Sequence, residues 1–163
     1  MKLELNKEFL LRHLFALAVF LALGGWFALD AFVRYPATDA RALYAAIEKT
    51  DPPEGLDVEA FKAQKTATQR IMAIAVLLAA AGTGLHLLAV AAFRFEYDGS
   101  GFTAGGRSYN YGEITRVDDS AWKKKRVMSV FAGEKRIVLD AWHHTGVEGF
   151  REIVADRTGL VEK

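Results

Sequence analysis

Apolar residues in this chain fall into two long unbroken blocks, after which the pattern changes to short alternating runs. Leu14 to Val33 reads LFALAVFLALGGWFALDAFV, 20 residues with one charge, Asp30. Ile71 to Phe93 reads IMAIAVLLAAAGTGLHLLAVAAF, 23 residues with no full charge. At about 1.5 Å per residue, helices over these blocks would be about 30 and about 34 Å long, enough for a hydrocarbon core of about 30 Å. Arg12 and Arg34 bracket the first block, and Arg70 and Arg94 the second. Long basic side chains at such positions reach the headgroups while their stems stay in lipid. A globule of 163 residues has little room to bury two helices that are apolar all round. The pattern therefore predicts two transmembrane helices, with residues 1–33 forming an N-terminal tail and the first span, and residues 71–93 the second. The first block exceeds the roughly 7–15 residues of a signal-peptide core, and Glu4 and Glu8 dilute a positive head, so it reads as a retained anchor.

Residues 34–70 form a polar connection. A helix is expected from an N-cap at Thr38, ending at the breaker Asp51-Pro52-Pro53-Glu54-Gly55; a second starts at Asp57 and runs on into the second span. The alanine-rich face of this helix–turn–helix suits a solvated connector better than a membrane-surface element. From residue 94 to 163 the period shortens to two. Runs at Arg94–Tyr97, Gly101–Ala104, Arg107–Tyr111, Ile114–Asp118, Arg126–Phe131 and Arg136–Leu139 read as six short strands, divided by turns at Asp98–Gly101, Gly105-Gly106 and Ala132–Glu134. Val147, Phe150, Ile153 and Val154 then recur at helical spacing. A membrane α-helical hairpin followed by a small α+β domain, an antiparallel sheet closed by a C-terminal helix, is the fold class implied.

The runs FEYDGSGF, YGEITRVDDSAWKKK and RIVLDAWHHTGVEGFREIV resemble bacterial pleckstrin-homology-like (PH-like) membrane proteins, in which two transmembrane helices precede a small PH-like barrel. The likeness at motif level covers residues 91–158. Six strands are visible where the full fold has seven. The resemblance implies protein or lipid contacts on a rigid scaffold and carries no catalytic machinery.

Charge narrows the functional classes. With 21 Lys+Arg against 20 Asp+Glu the chain is not a basic nucleic-acid binder, and without cysteine it has no thiol nucleophile, thiolate metal site or disulfide framework. The glycines at 99, 101, 105 and 106 match turns rather than a phosphate-binding loop, and no nucleophile motif or paired carboxylates mark a cleft. An enzyme is not expected, nor a bound cofactor.

Ionisable residues inside a span are functional candidates by default. Asp30 and His86 differ in depth by about 18 Å in an antiparallel hairpin, so they do not pair. Asp30 is expected to be satisfied by Arg34 at i+4. His86, four residues after Gly82, has the chemistry of an axial ligand to a haem or a pigment; the simpler expectation is a neutral imidazole bonded to a neighbouring helix. The pairs Gly24 and Ala28, Ala75 and Ala79, and Ala80 and Gly84 have the four-residue spacing that lets helices approach closely. Trp26 and Tyr35 suit an aromatic belt.

In the β-rich region Trp122, Lys123, Lys124, Lys125 and Arg126 form a candidate contact with anionic headgroups, the alternative being a solvated turn beside Asp118 and Asp119. Asp140, His143, His144 and Glu148 have metal-ligand chemistry, but adjacent histidines point apart, so no metal is expected and the side chains read as exposed loop positions.

The expected function is a non-enzymatic membrane-anchored interaction or scaffold protein. The alternative is an accessory subunit of a larger redox, photosynthetic or transport complex, its hairpin packed against other spans. The membrane ends carry Lys2, Lys7, Arg12, Arg94 and Arg107 on the terminal side, against Arg34, Arg41, Lys49, Lys62, Lys65 and Arg70 on the loop side. The short N-terminal tail has the denser charge, from which both termini are expected in the cytoplasm; the bacterial resemblance implies the inner membrane.

Overall fold

The computed structural model describes residues 1–160. In chain order the elements are β1 (Glu4–Leu5), α1 (Lys7–Leu29), a π turn (Asp30–Arg34), α2 (Tyr35–Ala37), α3 (Ala40–Glu48), α4 (Val58–Ala92), β2 (Phe95–Tyr97), β3 (Gly101–Ala104), β4 (Arg107–Asn110), a 3-10 turn (Tyr111–Glu113), β5 (Ile114–Asp118), α5 (Trp122–Lys125), β6 (Val127–Ala132), β7 (Lys135–Asp140), β8 (His144–Thr145) and α6 (Val147–Thr158). The chain divides into two compact units, one of residues 13–85 and the other of residues 1–12 with 86–163.

The first unit is helical. The stretches Lys7–Ala37 and Val58–Ala92 are long and apolar enough to cross a membrane, and only 17% of each apolar window is buried. A soluble core helix of this length would be mostly covered, so lipid is the solvent these surfaces suit. Gly24 supplies the close approach: a Cβ there would lie 2.8 Å from Leu77 Cδ2 and 3.5 Å from Val76 Cγ1. Ala31, Ala73 and Ala80 are buried as well. Pro36 lacks an N–H for the Phe32 carbonyl, and the helix widens into the π turn immediately before it. Lys62 Nζ then donates to the carbonyls of Pro36 (3.1 Å) and Thr38 (2.7 Å), satisfying acceptors left open at that helix end.

The expected cap of the connector helix shifts by one residue. Asp39 is the N-cap, its Oδ1 accepting from the amides of Arg41 and Ala42. Thr38 instead ends the preceding helix as its C-cap, its hydroxyl donating to the Arg34 carbonyl. Asp57 caps α4 as anticipated, accepting from the Ala60 amide at 2.9 Å, and α4 runs unbroken from the connector through the whole apolar block.

The second unit is a small antiparallel β structure with a helix across it. All six expected strands form, in two three-stranded sheets ordered β2-β3-β4 and β5-β6-β7, and they do not close into a barrel. The β3–β4 hairpin turns on Gly105 and Gly106, both at positive φ, as a two-residue turn matching the strand twist requires. At Gly101 a Cβ would lie 2.2 Å from the Tyr109 carbonyl oxygen, so only glycine lets β3 and β4 pair this closely. Phe150 of α6 is fully buried and meets Phe95, Tyr97 and Phe102 edge-on, with ring centroids 4.8–5.4 Å apart. This aromatic cluster joins α6 to the first sheet; Met128, Val130, Ile137 and Leu139 bring the second sheet into the same core.

Two strands were not anticipated. β1 pairs antiparallel with β8 through Glu4↔Thr145 and Leu5↔His144. Just before it, the chain pairs with β2: Lys2 bridges Glu96, the Leu3 amide donates to the Phe95 carbonyl, and the Tyr97 amide donates to the Met1 carbonyl. The N-terminal residues, expected to be a tail, therefore form a strand of the β unit, and Leu3 is buried in its core.

Candidate functional site

The basic run after Ser120 folds as α5, not as an open turn. Arg126 adopts a left-handed conformation that closes the helix before β6 begins. Trp122 is buried at 7% exposure, which removes it from any contact with headgroups. Two guanidinium groups approach its ring, Arg126 at 5.6 Å and Arg151 at 5.5 Å. Arg151 reaches Asp119 Oδ2 through Nε (3.2 Å) and Nη2 (2.7 Å), and Arg126 pairs with Glu148 at 3.2 Å. Cation contacts of this kind to an indole, with the two ion pairs, tie α5 to α6. Only Lys123, Lys124 and Lys125 of the predicted five are left as an outward basic cluster; among the described residues none has an acidic partner within ion-pair distance.

The four metal-type residues also separate. His144 lies in β8 and Glu148 in α6, so they do not share a helical face. The His144 ring is buried and its Nε2 donates to the Val90 carbonyl at 3.2 Å; burial pushes its pKa below the usual imidazole range. Beside it His143 takes a different environment: Nδ1 is 3.5 Å from Asp140 Oδ2, and its ring meets Phe9 at 4.6 Å and His86 at 5.4 Å. His86, expected against another helix, thus meets an aromatic ring of α1 and a turn of the β unit. Among the described residues no group of three or more His, Asp or Glu converges as a metal site.

Of the small-residue pairs, Gly24 and Ala80 are buried and Ala28 and Gly84 half-buried, while Ala75 and Ala79 are exposed. The exposed pair is on the outward face because the helix contact follows Ala73 and Ala80, seven residues apart, and not the four-residue spacing. Asp30 is buried and its Oδ1 accepts from Arg34 at 3.1 Å, as the i+4 spacing implied. The Arg34 guanidinium also covers Trp26 at 5.0 Å.

Two turns of the β unit are closed by carboxylates. Asp98 Oδ1 accepts from the Ser100 hydroxyl and from the amides of Ser100 and Gly101; Asp118 Oδ1 accepts from the Ser120 hydroxyl and amide. The serine hydroxyl bonds hold both carboxyls below the usual carboxylate range. Across the outer face of β2–β4 lies an open groove of about 580 Å³, lined by polar side chains including Glu96, Thr103, Ser108 and Asn110. These are the solvent-side positions of strands whose alternate residues form the core. The groove is open and its lining is more polar than apolar.

No known protein family, curated protein or solved structure matches this chain.

Proposed function

We propose that this protein is a non-enzymatic membrane anchor that holds a PH-like interaction domain against the membrane face. The observation that carries the reading is the continuity of chain between candidate spans and β unit. One residue, Asn6, separates β1 from α1, and two, Phe93 and Arg94, separate α4 from β2. A domain spliced to two apolar helices without flexible linkers is suited to a fixed station at a surface. Two three-stranded antiparallel sheets with a C-terminal helix support a PH-like layout. Several candidate ionisable groups have structural partners: Asp30 with Arg34, His144 with Val90, Asp140 with His143.

The second reading, an accessory subunit of a larger membrane complex, is favoured by one feature. Ala75, Ala79 and Gly82 are exposed on α4, and a Cβ at Gly82 would meet nothing within 4 Å. That face has room for another helix. Purification from native membranes in mild detergent, with particle mass and composition read by mass spectrometry, separates the two. A lone chain or small homo-oligomer supports the module; a large particle holding this chain at fixed ratio overturns it in favour of the subunit.

We place the β unit and the N-terminus in the cytoplasm, at the inner membrane. Single cysteines at Ser100 and Pro53, probed with an impermeant maleimide on intact cells, test this. Labelling at position 53 alone is expected, and labelling at position 100 alone reverses the orientation.

A further inference from the structure

Beside the end of α4 the β unit contains a second pocket, of about 340 Å³, whose walls pair basic with apolar side chains. Lys2 and Arg94 supply the charge, and Leu5, Ala91 and Phe93 the apolar surface. We propose that this pocket seats the phosphate of an anionic phospholipid headgroup, with Lys2 and Arg94 as its cationic ligands. The inference rests on the reading of α4 as a span.

Depth is the first argument. Counted from Arg70, a hydrocarbon core of about 30 Å is used up after about 20 helical residues, near Val90. Ala91, Phe93 and Arg94 therefore fall at the level of the phosphates, and Leu5 reaches the same level by pairing with His144, which bonds to Val90. Charge is the second. Both Lys2 and Arg94 are exposed, and among the described residues neither has an acidic partner within ion-pair distance. One carboxylate, Glu4, also lines the pocket, and Glu96 stands opposite Lys2 on β2. The site thus favours a headgroup of single negative charge that two cations can share, with the apolar walls against its glycerol. Free phosphate offers the same oxygens but nothing for Leu5, Ala91 and Phe93 to cover.

The test uses the full chain in nanodiscs of phosphatidylcholine with and without phosphatidylglycerol, reading retained lipid by native mass spectrometry. Retained phosphatidylglycerol in excess of its share of the bilayer is expected. The double variant Lys2→Gln, Arg94→Gln should lose about 30-fold of that preference, taking about 1 kcal/mol for each basic residue at the surface. Replacing Lys123, Lys124 and Lys125 by Gln should leave it unchanged. Equal retention by the wild type and the Lys2, Arg94 variant overturns the site. A Lys2- and Arg94-dependent rise in melting temperature with inorganic phosphate, without lipid preference, makes it a phosphate-ion site and overturns the lipid assignment. Failure of the chain to enter nanodiscs overturns the span reading and this proposal together, whereas entry without lipid preference removes the pocket alone.

Discussion

Replacing Leu3 by alanine tests whether the N-terminal residues are a wall of the β unit or a tail resting on it. Leu3 is 5% exposed and belongs to the same buried cluster as Phe95, Tyr97 and Phe150. Its Cδ2 would lie 3.1 Å from a Cβ at Gly146, the residue from which α6 starts, so the side chain fills the corner between β1 and α6. Truncating a core leucine costs about 2–5 kcal/mol. A unit of this size is stable by about 4–13 kcal/mol, so the loss is a large fraction of the total. Pulse proteolysis of the full chain in detergent across a urea series measures it. Leu11→Ala is the control: at 66% exposure the same chemical change should shift the midpoint by less than about 0.5 kcal/mol. Hydrogen exchange adds a local readout, because the Tyr97 amide donates to the Met1 carbonyl at 2.7 Å and should lose protection with Leu3. Equal midpoints for the two variants, with Tyr97 still protected in both, would refute the reasoning.

Gly149→Ala would put a Cβ 2.9 Å from Tyr97 Oη, which itself donates to the Gly146 carbonyl at 3.0 Å. A cost of about 1–3 kcal/mol is expected from overpacking, and a double-mutant cycle in urea should show it shrinking in a Tyr97→Phe background. Gly24→Ala should weaken the helical pair, since Leu77 stands 2.8 Å from the new Cβ, whereas Gly82→Ala meets nothing within 4 Å and should not; thermal unfolding in detergent separates them. Burial lowers the His144 pKa in the folded state, so the unfolded chain takes up a proton first as pH falls below about 6.5. Stability should drop with pH from there to the folded pKa and level off beneath it, and His144→Gln should flatten that dependence; parallel slopes in unfolding midpoints against pH would refute it.

Much of this architecture is written in periodicity. The two apolar blocks and the six alternating runs each repeat a pattern long enough to state its own structure, and Asp57 marks its helix with the right cap. β1 left a trace as well. Met1, Leu3 and Leu5 alternate with Lys2, Glu4 and Asn6, a period of two that a short run before a long apolar block does not make conspicuous. β8 left none, since two residues carry no period, and it exists because β1 lies beside it. The site residues were harder to read. A Trp followed by three lysines looks like a surface signature, yet Trp122 turns inward as part of the buried core, with Arg126 and Arg151 beside its ring from a neighbouring turn and a distant helix. Likewise His86 and His143 lie far apart in sequence, and only the fold brings their rings within 5.4 Å.

The N-terminal strand also explains how so short a β region holds a core. About 70 residues bury a modest share of their surface and are marginal alone. Here the chain returns its first residues to the domain: Leu3 enters the aromatic cluster, and the fully buried Phe9 packs on His143 in the turn before β8. These contributions come from the chain before the hairpin, 80 or more residues from β2 in sequence, so they are available only when the two helices have brought the chain back. The β unit is therefore completed by its own anchor. A fragment starting at Phe93 would lack Leu3, Phe9 and β1 itself, leaving β8 without its partner strand, and the intact chain is the form in which the domain's stability and its lipid contacts have to be measured.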